Sequence, residues 1–283
     1  MSELRSRLLL VTTPIGNLGD ITARAEKALR EGKDFLCEDT RNTKSLFSLL
    51  GISLEGKNFY AYHDHSGDSA TERILEELEK GKSFVLVSDA GSPMVSDPAY
   101  PLVKKAIELG IEVDSCPGAS AVILALELSG LPSSPFTFHG FLGREKKDRK
   151  LFYQKISLEA GTHLFFEGAS RVEETLEELS SAFPDFEMAV GRELTKKFQS
   201  IYRFKGNQFK DIQKDFMFKG EFVILLYVEK KKESSINEEE VKALAEDILK
   251  LGNKPKVVAK LLSSLLGKPT KEIYELLGKN ERE

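Results

Sequence analysis

The chain has 283 residues, of which 41% are hydrophobic and 30% are charged, and its net charge at pH 7 is −4. These values are typical of a globular protein with a sizeable core, and they exclude a protein coated uniformly in positive charge. No apolar run is long enough to span a membrane, and the apolar stretch near the N-terminus is too short for a signal peptide, so we expect a cytoplasmic protein. Cys37 and Cys116 lie in strand-like segments and are expected to be buried thiols.

The first 130 residues predict strands that alternate with helices. Strands are expected over residues 7–12, 34–38, 58–62, 83–87 and 111–115, and helices over residues 20–30, 40–51, 69–80, 99–109 and 120–128. Asp20 is the expected N-cap of the first helix. Such alternation is the pattern of βαβ units and of a parallel sheet.

A second α/β unit is predicted after the linker from Gly130 to Pro135. Its expected strands cover residues 136–141, 162–166, 186–190, 201–205 and 221–229, with helices over 147–158 and 170–183. A polar linker from Lys230 to Ser235 then leads to three short predicted helices over 237–251, 255–266 and 270–277. We therefore expect an N-terminal α/β domain over residues 1–130, a second α/β domain over 131–232 and a helical module over 236–283.

Several early strands end in polar clusters, which read TPIGN, EDTRN, HDH and DAGSP in chain order. Right-handed crossovers bring the carboxyl ends of parallel strands to one rim, where open α/β sheets bind ligands. The loop from Val87 to Pro98 is the stiffest, because it contains Gly91, Pro93 and Pro98. An ordinary connector between strand and helix is the alternative. Neither GxGxxG nor GxxxxGK[ST] is present, so nucleotide binding by those loops is not supported.

The HDH cluster raises the question of a metal site. His63 and His65 share one face of a strand, as two metal ligands would. No third ligand is close in sequence, so we expect no metal and favour polar residues of the rim. The turn from Pro117 to Ser120 opens a helix whose first N–H groups suit a carboxylate or phosphate, although such turns are common.

Two segments are rich in basic residues. The segment from Arg144 to Lys150, REKKDRK, is either a solvated helix face or a nucleic-acid contact. The stretch from Lys250 to Lys271 has no Asp or Glu, and its lysines are Lys250, Lys254, Lys256, Lys260, Lys268 and Lys271. It fits binding to a phosphate backbone, and a solubilising or dimer-covering tail is the alternative.

Taken in order, TPIGN, EDTRNT, HDH, SDAGSPMVSDP, PGASA and RELTK resemble the motifs of the 16S ribosomal RNA (cytidine) 2′-O-ribose methyltransferases, which have the tetrapyrrole-methylase fold of class III methyltransferases. The motifs run from Thr13 to Lys196, and the tail from Ile236 resembles the family's helical RNA-binding module. The resemblance implies two α/β domains with a cleft for S-adenosylmethionine between them. It also implies methylation of a cytidine 2′-hydroxyl in small-subunit ribosomal RNA, and a homodimer. The segment FFEGASR from Phe165 departs from the usual pattern, which is closer to FYESPHR, and Ala119 stands where a second Pro is usual.

The resemblance assigns the cofactor residues by position, whereas the catalytic and RNA-binding candidates follow from the residue types at the rim and in the tail. The cofactor-binding residues it implies are Pro14, Gly91, Ser92, Val95, Ser120, Ala121, Phe166, Arg192 and Phe222. Candidates for a general base or another catalytic role are Asp39, His63, Asp64, Glu193 and Lys196. The expected RNA-binding residues are Arg41, Lys254, Lys256, Lys260, Lys268 and Lys271. The expected partners are small-subunit ribosomal RNA and a second copy of the chain, and neither DNA nor a membrane.

Two alternatives to this function stay open. One is a tetrapyrrole (precorrin-type) methyltransferase with the same fold. The lysine-rich tail disfavours it, because an enzyme that acts on a porphyrinoid has no use for such a tail. The other is a non-catalytic RNA-binding scaffold, which would not bind S-adenosylmethionine.

Overall fold

The computed structural model describes residues 6–63, 67–95, 99–229, 238–250, 252, 254–266 and 269–278. The chain divides into two compact units, Met1–Glu229 and Lys230–Glu283. The predicted boundary between residues 130 and 131 lies inside the first unit and stays a prediction.

The first unit begins with a five-stranded sheet in which all strands are parallel. Its strands are β1 (Arg7–Val11), β2 (Asp34–Cys37), β3 (Asn58–Ala61), β4 (Phe84–Val87) and β5 (Glu112–Cys116), in the order β3-β2-β4-β1-β5. The helices between them are α1 (Ala23–Glu31), α2 (Thr40–Leu49), α3 (Gly67–Glu79) and α4 (Tyr100–Glu108). The connection after β1 leads towards the β3 edge of the sheet, and the connection after β4 leads towards the β5 edge. The topological switch point, where adjacent strands connect in opposite directions, therefore lies between the carboxyl ends of β1 and β4.

Both faces of this sheet are covered by helices. Leu8 and Leu86 pack in the layer formed with α3 and α4, whereas Leu9 and Val87 pack in the layer formed with α1 and α2. Because successive strand residues enter different cores, nearly every residue of β1 and β4 is apolar and buried. This explains why the sequence shows continuous apolar runs rather than alternation.

The predicted N-cap Asp20 is wrong. Thr22 caps α1, and its hydroxyl accepts a hydrogen bond from the N–H of Ala25 at 3.2 Å. Asp20 instead ends a single turn of 3-10 helix, Leu18–Asp20, which Asn17 caps. The extra turn lengthens the loop after β1, and this loop contributes to the site described below.

A mixed five-stranded sheet follows in the same unit. The elements are α5 (Ala121–Ser129), β6 (Phe136–Phe141), α6 (Lys146–Ile156), β7 (Gly161–Gly168), α7 (Val172–Ala182), β8 (Glu187–Arg192), β9 (Ser200–Lys205), α8 (Phe209–Ile212) and β10 (Glu221–Val228). The strand order is β6-β7-β10-β8-β9, and only β6 and β7 run parallel to each other. Two α/β layers in one chain are what the sequence predicts.

Helix α5 follows a strand of the first sheet but packs on the second. Val122 and Leu126 belong to one apolar cluster with Leu164 of β7 and Leu225 of β10. Arg203 of β9 donates hydrogen bonds to the carbonyl oxygens of the last residues of α5. Helix α5 is therefore fixed to the second sheet, while its first residues follow directly from the rim of the first.

The second unit contains three helices, α9 (Glu238–Lys250), α10 (Pro255–Leu266) and α11 (Thr270–Gly278). All three were expected from the sequence. Its small core consists of Ala245, Val258, Ala259, Leu262 and Ile273. Across the part of the chain that the structure describes, no helix has both the length and the apolar character to cross a bilayer.

Candidate active site

The loops that follow β1 and β4 are joined by their backbones at the switch point. The N–H of Thr13 donates to the carbonyl oxygen of Gly91 at 3.0 Å, and the N–H of Gly91 donates back to Thr13 at 3.1 Å. The Ser88 hydroxyl also donates to the Gly91 carbonyl, at 2.6 Å. Gly91 has a φ of 76°, which glycine adopts without steric cost. The pairing fixes where Pro14 and Ser92, the residues that follow, leave the rim.

A third loop, between β5 and α5, lies against the same place. The N–H of Thr12 donates to the carbonyl of Cys116 at 3.2 Å, and a Cβ on Gly118 would lie 3.0 Å from the Cβ of Thr12. Ser120 caps α5, with its hydroxyl accepting from the N–H of Ile123 at 3.4 Å. The other N–H groups of the first turn have no acceptor within the helix, and they carry its positive dipole. The loop therefore presents backbone donors suited to an anionic group.

The second sheet contributes the loop that follows β8. A Cβ on Gly16 would collide with the Cγ of Lys196 and would lie 3.0 Å from the hydroxyl oxygen of Thr195. Only a residue without a side chain fits at this position. The loops after β1 and β8 are therefore in direct contact, as a site between the two sheets requires.

A cavity of about 710 Å³ opens between these loops. Its lining residues are Ile15, Asn17, Asp20, Gly118, Ala119, Ser120, Ile123, Leu124, Glu127, Thr195, Lys196 and Gln199. The volume is in the range of small-molecule sites, and the lining mixes apolar and polar groups as such sites do. Of the predicted site residues, Ser120 and Lys196 line this cavity. Gly91, Ser92, Val95 and Phe166 do not, although a Cβ on Gly91 would lie 3.4 Å from the Cγ2 of Ile15.

Lys196 is held by two carboxylates. Its Nζ lies 3.1 Å from Oε1 of Glu193 and 2.8 Å from Oε2 of Glu221. Burial lowers the pKa of Lys196, but the hydrogen bonds to the two carboxylates outweigh it and raise the pKa above its ordinary value. Burial raises the pKa of Glu193, but the Glu221 N–H and Lys196 together bring it below its ordinary value. Lys196 is therefore an ammonium, which cannot accept a proton, and its hydrogen bonds make the Glu193 carboxylate a weaker base.

The backbone of this segment is strained. Glu193 has a φ of 48° and Thr195 a φ of 64°, both in the left-handed region that residues with side chains rarely adopt. The N–H of Thr195 donates to Oε1 of Gln199 at 2.7 Å, which helps to hold the turn. The buried Thr195 hydroxyl has no hydrogen-bond partner among the described residues. Strain of this kind concentrates at functional sites, which supports the assignment of the RELTK segment to the site.

Asp39 lies at the same rim, at the end of β2. Its carboxylate caps α2 and binds Arg41, with 2.6 Å between Arg41 NH2 and Asp39 Oδ2. The hydrogen bonds from Arg41 lower the pKa of Asp39 to about 2, so it is a weak base. Asp89, in the loop after β4, accepts from the N–H of Asp39 at 3.2 Å and from the side chain of Asn42 at 2.6 Å. These bonds connect the predicted catalytic residue Asp39 to the loop that carries Gly91.

Other predicted residues lie elsewhere. His63 follows the edge strand β3, whereas Asp64 and Lys268 lie outside the described residues. The guanidinium of Arg192 is buried and donates to two backbone carbonyl oxygens, at 2.6 and 2.9 Å. The side chain of Phe222 is buried in the core on the sheet face away from α5. Arg192 and Phe222 therefore support the fold with their side chains.

The remaining predicted cofactor residues lie in the loop after β4 and in the apolar cluster of α5. The N–H of Val95 donates to the Ser92 carbonyl at 3.0 Å, which closes a turn. Ala121 and Phe166 pack against the apolar cluster of α5, together with Ile15.

The predicted RNA-binding residues Lys254, Lys256, Lys260 and Lys271 are exposed in the second unit. Within the described ranges, no group of three or more His, Cys, Asp or Glu residues is arranged to hold a metal ion.

Comparison with known proteins identifies the family. The sequence profile of the Tetrapyrrole (Corrin/Porphyrin) Methylases matches residues 7–210. The chain belongs to the tetrapyrrole methylase family. This membership confirms the family resemblance, the two-sheet α/β fold and the methyltransferase class predicted from the motifs.

Sequence relatives are named as methyltransferases, and solved structures of methyltransferases have a similar fold. The chain is 34% identical to "Ribosomal RNA small subunit methyltransferase I" of Halalkalibacterium halodurans, over 96% of this chain and 94% of that protein. It is 38% identical to the protein of the same name from Xylella fastidiosa, over 94% and 97%. The fold is similar to the methyltransferase CobJ (TM-score 0.58, 18% identity, 79% of this chain and 94% of the other). It is also similar to the uroporphyrin-III C-methyltransferase of Thermus thermophilus complexed with S-adenosylhomocysteine (TM-score 0.51, 17% identity, 78% and 96%).

Proposed function

We propose that this protein transfers a methyl group from S-adenosylmethionine to the ribose 2′-hydroxyl of a cytidine in small-subunit ribosomal RNA. The observation that carries the proposal is the name shared by the two relatives, which match 94–96% of this chain. The joined loops at the rim support it, because they combine backbone donors with a cavity large enough for a small cofactor. Because ribosomal subunits are cytoplasmic, the proposed reaction takes place in that compartment.

The residues at the rim fit S-adenosylmethionine. The first-turn N–H groups after Ser120 suit its carboxylate, and the loops of Gly91 and Gly118 pack closely enough to fix the rim around them. Val95 and Phe166 offer apolar surface to the adenine or the methionine chain. In the proposed site these residues, with Pro14 and Ala121, hold the cofactor. A solved fold neighbour in complex with S-adenosylhomocysteine supports this choice of cofactor.

When bound, the cofactor supplies an activated methyl group, so the protein's task is to orient the reactants and to exclude water. Lys196 lies at the cavity with its ammonium held by Glu193 and Glu221, and in the proposed site its remaining N–H positions a ribose oxygen of the substrate. Hydrogen bonds lower the pKa values of Asp39 and Glu193 and so weaken both carboxylates as bases, and Lys196 is protonated. We therefore place the acceptor of the 2′-hydroxyl proton among the two other candidates, His63 and Asp64.

RNA binding is proposed for two parts of the chain. Arg41 is exposed at the rim and contacts a phosphate near the target nucleotide. Lys254, Lys256, Lys260 and Lys271 are exposed in the second unit and add affinity that depends on salt rather than on sequence. A homodimer is also part of the proposal, as the family resemblance implies.

Methyl transfer from labelled S-adenosylmethionine to isolated small ribosomal subunits tests the function. We expect label in the subunit RNA and none in a tetrapyrrole offered in parallel. Label in the tetrapyrrole alone would support the precorrin-type alternative. Calorimetric titration with S-adenosylmethionine excludes the scaffold alternative if it gives saturable heat, and supports that alternative if it gives none.

A further inference from the structure

Phe141 is an aromatic residue exposed at the end of β6. Its relative exposure is 60%, yet one side of its ring packs on Phe166, with 5.5 Å between the ring centroids. Phe138 contacts the same Phe166 ring at 4.7 Å. The three rings therefore form a small edge-to-face cluster of which Phe141 is the outer, solvent-facing member.

A β-bulge produces this arrangement. Phe138 pairs with Leu164 and Phe141 pairs with Phe166, so β6 has one more residue than β7 between the two pairs. In a regular strand, residues three apart point to opposite faces of the sheet. The extra residue, at a place where Gly140 has a φ of 69°, brings both rings to the face covered by α5. Bulges frequently re-aim a side chain beside a functional site.

The chain that follows Phe141 is fixed by two arginines. Arg171 donates to the carbonyl of Leu142 at 3.1 Å. Arg149 is buried, pairs with Glu178 at 2.8 Å and donates to the carbonyl of Arg144 at 2.7 Å. Because these contacts already hold the loop, binding of a ligand to Phe141 does not carry the conformational-entropy cost of ordering it.

Several basic residues follow Phe141 closely in the sequence. Arg144, Lys147 and Lys150 are exposed and make no hydrogen bond or ion pair with the side chains of other described residues. The other basic residues of REKKDRK are occupied, since Lys146 pairs with Glu174 at 2.6 Å and Arg149 is buried. An exposed ring next to uncompensated cations is the chemistry that binds single-stranded nucleic acid.

We propose that Phe141 is a stacking platform for an unpaired nucleobase of the RNA substrate, and that Arg144 and Lys147 hold the adjacent phosphates. The inference rests on the proposed function and deepens it. Phe166, on which Phe141 packs, is a predicted cofactor residue in the same apolar cluster as Ile15 and α5, so the platform adjoins the candidate active site. A base inside a duplex does not expose its face, so the platform selects a flipped-out or single-stranded nucleotide.

The test uses the full chain with Phe141→Ala, Phe141→Leu and Phe141→Trp. The binding probe is a short single-stranded RNA that contains a fluorescent cytidine analogue, whose emission is quenched by stacking. We expect the Ala and Leu variants to bind about tenfold to a hundredfold more weakly and to lose the quenching, while Trp retains both. Leu158→Ala removes another exposed apolar side chain, 78% exposed, and should change neither. Melting temperatures establish that all variants fold.

A second measurement separates the cations from the ring. The double variant Arg144→Gln/Lys147→Gln should reduce the slope of log Kd against log salt by about 0.7 for each charge removed, whereas Phe141→Leu should leave the slope unchanged. If the Phe141→Leu variant binds the RNA as tightly as the wild type and quenches its fluorescence to the same extent, Phe141 is not a stacking platform. So would a Phe141→Ala variant that loses methyl transfer on assembled subunits but keeps it on protein-free RNA, because that pattern indicates a protein contact. Failure of the unaltered protein to methylate small-subunit RNA would instead overturn the proposed function.

Discussion

Thr13 and Gly91 exchange two backbone hydrogen bonds, of 3.0 and 3.1 Å, across the gap between β1 and β4. The residues are far apart in sequence, and their pairing extends the sheet by one isolated bridge beyond the ends of both strands. The geometry at Gly91 depends on a φ of 76°. Replacement of this glycine therefore tests whether the bridge shapes the cofactor site.

Gly91→Ala should lower the free energy of unfolding by about 1–2 kcal/mol, because alanine is strained at positive φ. It should also weaken S-adenosylmethionine binding, measured by calorimetry, because the loop relaxes away from its present geometry. Gly110→Ala is the matched control, since Gly110 has a φ of 72° and open space around it. Equal cofactor affinity in the two variants would show that the Gly91 loop does not bind the cofactor.

Gly16→Ala should reduce methyl-transfer turnover on the order of a hundredfold, because a Cβ there displaces Lys196 and Thr195. The control is Gly56→Ala, whose φ is 70° and whose surroundings are open. Steady-state assays on small subunits compare the two. If Gly16→Ala turns over as fast as Gly56→Ala, the contact between the β1 and β8 loops has no part in the reaction.

The charges around Lys196 predict how stability depends on pH. The pKa of Glu193 lies below its ordinary 4.5, so its contribution is complete above about pH 4.5 and is lost as the pH falls through the folded-state pKa. The pKa of Lys196 lies above its ordinary 10.5, so its contribution is complete below that pH and is lost as the pH rises through the folded-state pKa. The stability difference between wild type and Glu193→Gln should therefore shrink as the pH is lowered.

Urea unfolding at a series of pH values measures this difference. Glu187→Gln, at an exposed carboxylate at the start of the same strand, is the control and should give no comparable pH dependence. If the difference in the free energy of unfolding between wild type and Glu193→Gln increases as the pH is lowered, the ion pair between Glu193 and Lys196 is contradicted.

Asp39→Asn should retain most of the turnover at neutral pH. The pKa of Asp39 is held at about 2 by Arg41, so its carboxylate is a poor proton acceptor, and asparagine can still cap α2. His63→Gln serves as the comparison, because His63 is the described candidate that remains. Loss of activity in Asp39→Asn, with an intact melting temperature, would restore Asp39 as a catalytic residue.

The first sheet could be predicted from the sequence because its strands are short apolar runs that end in polar clusters. The RELTK segment was proposed as a site segment from its sequence, and the structure places Lys196 at the cavity, while its catalytic role stays a prediction. Asp20 was assigned to the wrong role, because its residue type suits a cap and nothing local reveals that a 3-10 turn precedes Thr22.

Other features depend on contacts that no local pattern encodes. Helix α5 is almost entirely apolar, so its sequence does not reveal which sheet it covers. Glu193 and Thr195 have positive φ values and hydrogen bonds to the distant residue Glu221 and to Gln199, and no glycine marks these positions in the sequence. The bulge at Gly140 reverses the facing of Phe141, which simple alternation along β6 would have placed on the other side of the sheet.

The central claim is tested most directly by mapping the nucleotide that this protein labels. Small subunits are incubated with methyl-labelled S-adenosylmethionine, and their RNA is digested with alkali, which does not cleave next to a 2′-O-methylated ribose. We predict that the label remains in an alkali-resistant dinucleotide that begins with cytidine. Label on a base, or label released as an ordinary mononucleotide, would contradict the account.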